Sequence, residues 1–243
     1  MSIMKYISYC TIFFLLFGSC RKSNLETKDV LKSFQISSHS VVADGSSKLT
    51  MMAELDDKSD ADKRKILFTA SSGSFIGGKD STVSVKAEFV DNKLIATAYF
   101  VAPLKPGKIN LSIQPDLDLY LDIKITDIIE ATESVPAKIK LSSSSFAVRY
   151  GFLSEDTLIA KLLNDVGGNV STGAVVIFGD TFLDNSEVHG RFRPASATSN
   201  FSSQASSIYS PGYQVPVGAP VWIKAYLANN PAVRDSFMIT IIQ

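Results

Sequence analysis

Apolar and polar residues alternate along most of this chain. From residue 36 onward, apolar positions recur at every second residue in short runs bounded by Gly, Pro, Asn and Asp, the pattern of half-buried strands. In KLTMMAEL (48–55), Leu49, Met51, Ala53 and Leu55 share one face, and in KILFTA (65–70) Ile66 and Phe68 do. STVSVKAEFV (81–90) alternates Val83, Val85, Ala87 and Phe89. With ISSHSVV (36–42), KLIATAYFV (93–101), KINLSIQ (108–114) and LYLDIKITDI (119–128), the pattern predicts seven strands, the number an immunoglobulin-like sandwich requires.

The pattern then restarts. Residues 129–136 read as a polar linker ending in Pro136, which cannot donate to a ladder and restricts the residue before it. Beyond it, AKIKLSSSSFAVRY (137–150) predicts a first strand broken at its serines, and TLIAKLLND (157–165) parallels LTMMAELDD (49–57). GAVVIFGDTF parallels KILFTASSGSF, FSSQASSIYSPG parallels IATAYFVAPLKPG, APVWIKAYL parallels GKINLSIQ, and DSFMITII parallels LDIKITDI. The expected fold is all-β: two tandem immunoglobulin-like β-sandwich domains, 36–128 and 137–243.

The N-terminus is of another kind. Lys5 precedes an almost continuous apolar run over 6–17. As a helix that run rises only ~18 Å, short of the ~30 Å hydrocarbon core, so it reads as a signal-peptide segment rather than a span. Phe17-Gly18-Ser19-Cys20 follows. Small residues before a cysteine resemble the bacterial lipobox, which implies cleavage after residue 19 and acylation of Cys20; an ordinary secretory leader is the alternative. Cys10 leaves with the leader, so Cys20 is the lone thiol of the mature chain, and acylation accounts for it. Three acyl chains make such an anchor stable. Residues 20–35, mostly polar, are expected to be a tether. Arg21 rather than aspartate after the cysteine favours the outer membrane, with the periplasmic or outward-facing side left open.

Charge narrows the partners. The 24 Lys and Arg residues balance 24 Asp and Glu, and loss of Lys5 with the leader leaves one excess negative charge. Nucleic-acid binding is disfavoured, since it needs a basic stripe.

ADGSSKLTMMAELDD, a loop, then ILFTASSGSF, and later YFVAPLKPGKINLSI, resemble bacterial Ig-like domains of the invasin and intimin type. The resemblance covers 40–128 well and 137–243 more loosely, the second half lacking the A-D-G start. It implies surface spacers and adhesive modules, mostly without catalysis.

Candidate chemistry is sparse. His39 and His189 have no second histidine or cysteine at metal spacing, and G-x-S-x-G, H-E-x-x-H and P-loop patterns are absent from the sequence. Asp56, Asp57, Asp60 and Asp62 carry oxygens that suit Ca²⁺, but the interleaved Lys58, Lys63, Arg64 and Lys65 make a solvated loop the better reading. Asp116, Asp118 and Asp122 around Tyr120 read as the outward face of a hairpin. The chain is therefore expected to be non-enzymatic, with no cofactor and no metal, and with the membrane and an unidentified protein or glycan as partners. The sharpest binding feature is APVWIKAYL. If Val221, Ile223 and Ala225 face the core, Trp222 and Tyr226 are exposed side by side for a ligand such as sugar; in the opposite register Trp222 is core.

Overall fold

A computed structural model describes residues 30–117, 123–151 and 154–243. The expected leader, Cys20 and most of the expected tether lie outside them, as do Asp118, Tyr120 and Asp122.

The first half forms β1 (Leu31–Ile36), β2 (Ser40–Ala43), β3 (Lys48–Leu55), β4 (Lys65–Ala70), β5 (Ser74–Phe75), β6 (Thr82–Lys86), β7 (Glu88–Val90), β8 (Lys93–Val101), β9 (Gly107–Pro115) and β10 (Ile125–Glu133). One sheet runs β1-β3-β8-β5, with β7 also on β8; the other runs β2-β10-β9-β4-β6. The second half forms β11 (Lys138–Ser143), β12 (Ala147–Arg149), β13 (Asp156–Leu163), β14 (Val175–Thr181), β15 (Arg191–Arg193), β16 (Ser196–Thr198), β17 (Gln204–Ser210), β18 (Pro220–Leu227) and β19 (Arg234–Ile242). Its sheets run β11-β13-β17-β15 and β12-β19-β18-β14-β16. The pairing repeats from half to half, down to a parallel partner for the second strand: β2 with β10 and β12 with β19.

Each half buries its own core between its sheets. Leu49, Met51, Ala53, Leu55, Ile66 and Phe68 are all buried in the first, and Leu158, Ala160, Leu162, Val221, Ile223 and Ala225 in the second. Each large aliphatic or aromatic side chain among these contributes about 1.5–3 kcal/mol by leaving water. The chain is thus two tandem immunoglobulin-like sandwiches, all-β, as the alternation predicts. Part of the A-D-G motif has a local reason: the Asp44 carboxylate accepts the N–H groups of Ser46 and Ser47 at 2.7 and 2.6 Å, closing the turn between β2 and β3. Gly45 within it has φ +71°, which glycine adopts at no steric cost.

Several boundaries differ from those expected. Residues 31–35, assigned to a tether, form β1 on β3, with Leu31 buried. The run 36–42 is not one strand: the chain leaves the first sheet after Ile36 and enters the second at Ser40. Phe89 does not continue the inward face of Val83; the strand breaks at Ala87, and Phe89 lies exposed beside the Arg64 guanidinium, 5.2 Å from its ring centre. The expected linker 129–136 is mostly strand, because β10 runs to Glu133 with Ile129 and Ala131 in the first core.

The two sandwiches meet through hydrogen bonds. The Ser171 hydroxyl donates to the Ala43 carbonyl at 2.8 Å and accepts the Ser134 N–H at 2.9 Å. The Ser171 and Thr172 N–H groups donate to the carbonyls of Ser134 and Leu104. The Ser134 hydroxyl in turn donates to the Asn169 carbonyl at 2.9 Å.

Candidate functional site

β18 lies inside its sheet, between β14 and β19, so its main chain is taken up on both sides. Its side chains alternate cleanly. Val221, Ile223, Ala225 and Leu227 are buried, and Trp222, Lys224 and Tyr226 stand half-exposed on the outer face. This is the first of the two registers the sequence leaves open. The rings are not adjacent: Lys224 stands between them, and the Cα atoms of Trp222 and Tyr226 are ~13 Å apart by strand rise.

Cross-strand register completes the surface. Trp222 pairs with Met238, Lys224 with Ser236 and Tyr226 with Arg234 on β19; on β14, Lys224 faces Gly179. A Cβ added at Gly179 would meet no atom within 4 Å, so the sheet surface is bare beside Lys224. The result is an open groove of about 660 Å³, bordered by the three β18 side chains, by Arg234, Asp235 and Ser236 of β19, by Pro231 of the following hairpin and by Asn185 of the loop after β14.

Its polar groups are largely unspent. The Lys224 ammonium, the Arg234 guanidinium, the Trp222 indole N–H and the Tyr226 hydroxyl have no hydrogen-bond or ion-pair partner among the described residues. Asp235 differs: its carboxylate accepts the Leu141 and Ser236 N–H groups at 2.8 and 2.9 Å. The groove therefore carries two free cations against one engaged anion.

The loop supplying Asn185 is fastened from beneath. Asp180 accepts the hydroxyl of fully buried Tyr209 at 3.0 Å and the Gly190 N–H at 2.9 Å on the same oxygen. Burial raises the Asp180 carboxyl pKa against the lowering effect of these two donors, and burial together with that carboxylate pushes the Tyr209 phenol up. Tyr209 packs on Phe192 at 5.0 Å between ring centres, and Phe192 stacks near Phe178.

The other candidate residues are dispersed. His39 is exposed and 3.0 Å from Asp127, and His189 is exposed and 3.3 Å from Glu187, one in each sandwich. Asp56 and Asp57 pair with Lys32 at 3.5 and 3.3 Å, and Asp60 pairs with Lys63 at 2.7 Å. Asp56, Asp57 and Asp60 thus each have a lysine partner, and the Asp62 side chain lies outside the described ones. Asp116 accepts the Ser84 hydroxyl.

Sequence reasoning missed Arg234 and the Asp180–Tyr209 pair. The signal for the first was present: Asn229-Asn230-Pro231 is a turn, and a hairpin closed there sets Arg234 across from Tyr226. The second joins β14 to β17 in opposite sheets, which local pattern does not report.

No protein-family model and no curated protein sequence matches the chain. Solved structures do. The fold is similar to that of invasin, described as a bacterial integrin-binding protein, with a TM-score of 0.57 at 12% identity over 86% of this chain and 38% of that one. The Yersinia pseudotuberculosis adhesin InvE aligns at a TM-score of 0.49 and 15% identity over 92% of this chain and 61% of that one. The D0-D1 domain of intimin aligns at 0.35 and 14% identity, over 88% and 99%. The chain spans less than two thirds of the invasin and InvE structures, and at 12% identity the likeness to invasin establishes the fold alone.

Proposed function

We propose that this chain is a non-enzymatic module of the bacterial cell envelope, held in the outer membrane by acyl chains on Cys20, whose two sandwiches carry a binding face away from the lipid in the manner of an adhesion protein. The invasin-like fold supports that role, as does the hydrogen-bonded junction, which suits a spacer. The observation that carries the binding reading is the groove on β18 and β19, where two half-exposed aromatic rings and four unspent polar groups share one open sheet face. Such rings offer flat apolar surface with polar tips. Sugar rings, with C–H faces and hydroxyl rims, match that surface, so a glycan is the ligand class we assign to the groove.

The test uses cells expressing the full chain, Cys20→Ala, or Trp222→Ala/Tyr226→Ala. Wild type is expected in the membrane fraction and retained on immobilised polysaccharide. The cysteine variant should leave the membrane fraction, and the double variant should stay there but lose retention by at least about tenfold, or about 1.4 kcal/mol. Membrane fractionation of Cys20→Ala would refute the anchor; undiminished retention of the double variant would refute the groove.

A further inference from the structure

The free charges in the groove say more than its rings do. We infer that the groove selects acidic glycans, carboxylate-bearing sugar chains of the uronate class, over neutral ones; this rests on the glycan reading above. Lys224 lies midway between Trp222 and Tyr226 on β18, and Arg234 lies directly across from Tyr226 on β19. Neither cation has a carboxylate or hydrogen-bond partner among the described residues. The acid that borders the groove, Asp235, is held by two backbone N–H groups. An anionic ligand therefore meets a surface with an excess positive charge and a guanidinium free to take a carboxylate through two parallel hydrogen bonds.

The geometry also separates a sugar from an acidic peptide. An extended peptide adds to a sheet edge through its main chain. β18 is internal and fully paired, so a peptide backbone finds no ladder to join here. A sugar chain needs no such ladder. It lays ring faces on Trp222 and Tyr226, and the ~13 Å between their Cα atoms calls for an extended occupant of several units rather than a single sugar. The bare surface at Gly179 leaves the middle of that path open beside Lys224, where an acid group of a central unit would sit.

The experiment compares binding of the full chain to polygalacturonate and to the same polymer fully methyl-esterified, by affinity electrophoresis and calorimetry. Wild type is expected to bind the acid form at least about tenfold more tightly, and that margin should shrink as salt rises from about 0.05 to about 0.5 M, because exposed charges are screened. Lys224→Gln/Arg234→Gln should lose the margin while keeping its affinity for the ester, and Trp222→Ala/Tyr226→Ala should lose both ligands. Gly179→Val, which places a strand-favouring side chain in open space, should weaken both polymers with the fold intact. Equal wild-type affinity for the two polymers, or a margin that survives the Lys224/Arg234 change, would overturn acid selectivity and leave the glycan reading standing. Absence of wild-type binding to either polymer would overturn both.

Discussion

Asp180 makes the folded state sensitive to pH. Its carboxyl is half-buried on β14, and the oxygen that accepts the Tyr209 hydroxyl also accepts the Gly190 N–H. Gly190 has no alternative there, since an added methyl would stand 2.3 Å from that oxygen and 2.4 Å from the Tyr209 ring. Because burial raises the pKa above the ordinary 3.8, the folded chain holds the proton more tightly than the unfolded chain does. The contribution of this group to stability is then complete below about pH 4 and is lost as pH rises through the elevated value. Asp180→Asn keeps an oxygen to accept both donors and removes the titration. Its stability relative to wild type should therefore climb between about pH 4 and pH 7, as read from urea denaturation across that range. A difference that stays constant with pH would refute the assignment.

At the scale of the strand, β18 divides its side chains between two jobs, and the division can be measured. Ile223 is fully buried, so Ile223→Ala should cost about 2–5 kcal/mol in urea unfolding. Lys224→Ala, one residue on and on the opposite face, should change stability by no more than about 0.5 kcal/mol. Similar costs at the two positions would mean that the outer face is not free. The same alternation explains which strands were readable in the sequence. β3, β4, β8 and β18 each bury one face and leave the other at least partly exposed, so period two survives along them. Where the backbone changes sheets, that signal fails. Between β1 and β2 the switch is made by serines, Ser37 accepting the Thr50 N–H and Ser38 donating to the Ser40 carbonyl. No apolar residue marks the break. In the second sandwich the break at 144–146 was readable because four serines stand together; there the buried Asp156 carboxylate accepts the hydroxyls of Ser143 and Ser144. β10 was placed too early because Ile128 and Ile129 are adjacent, one exposed and one buried, and a pair of isoleucines fits either phase. Of the groove, Trp222, Lys224 and Tyr226 follow from alternation along one strand, whereas Arg234 and Asn185 arrive from other segments and depend on register and loop closure.

Across the whole molecule, the question is whether the two cores act as one body. Each sandwich has a separate apolar cluster, so what couples them is the polar junction. Ser171 is its centre: buried, it donates to Ala43 of the first sandwich and accepts the N–H of Ser134, the residue that follows β10. Asn164 reaches the same point, its amide donating to the Ser134 hydroxyl at 3.3 Å while its oxygen accepts the Gly168 N–H at 2.7 Å. Removing the Ser171 hydroxyl leaves a buried carbonyl and a buried N–H without that partner, at a cost of about 1–3 kcal/mol. The loss falls on the docking of the two halves, since the apolar contacts within each core are untouched. Ser171→Ala should accordingly keep both sandwiches folded, pull their unfolding transitions apart in calorimetry and broaden the distribution of interdomain distances in small-angle scattering. Coincident transitions together with unchanged scattering would show that the Ser171 hydroxyl does not couple the two halves, and that their docking rests on the remaining junction bonds, from the Ser171 and Thr172 N–H groups to the carbonyls of Ser134 and Leu104 and from the Ser134 hydroxyl to the Asn169 carbonyl.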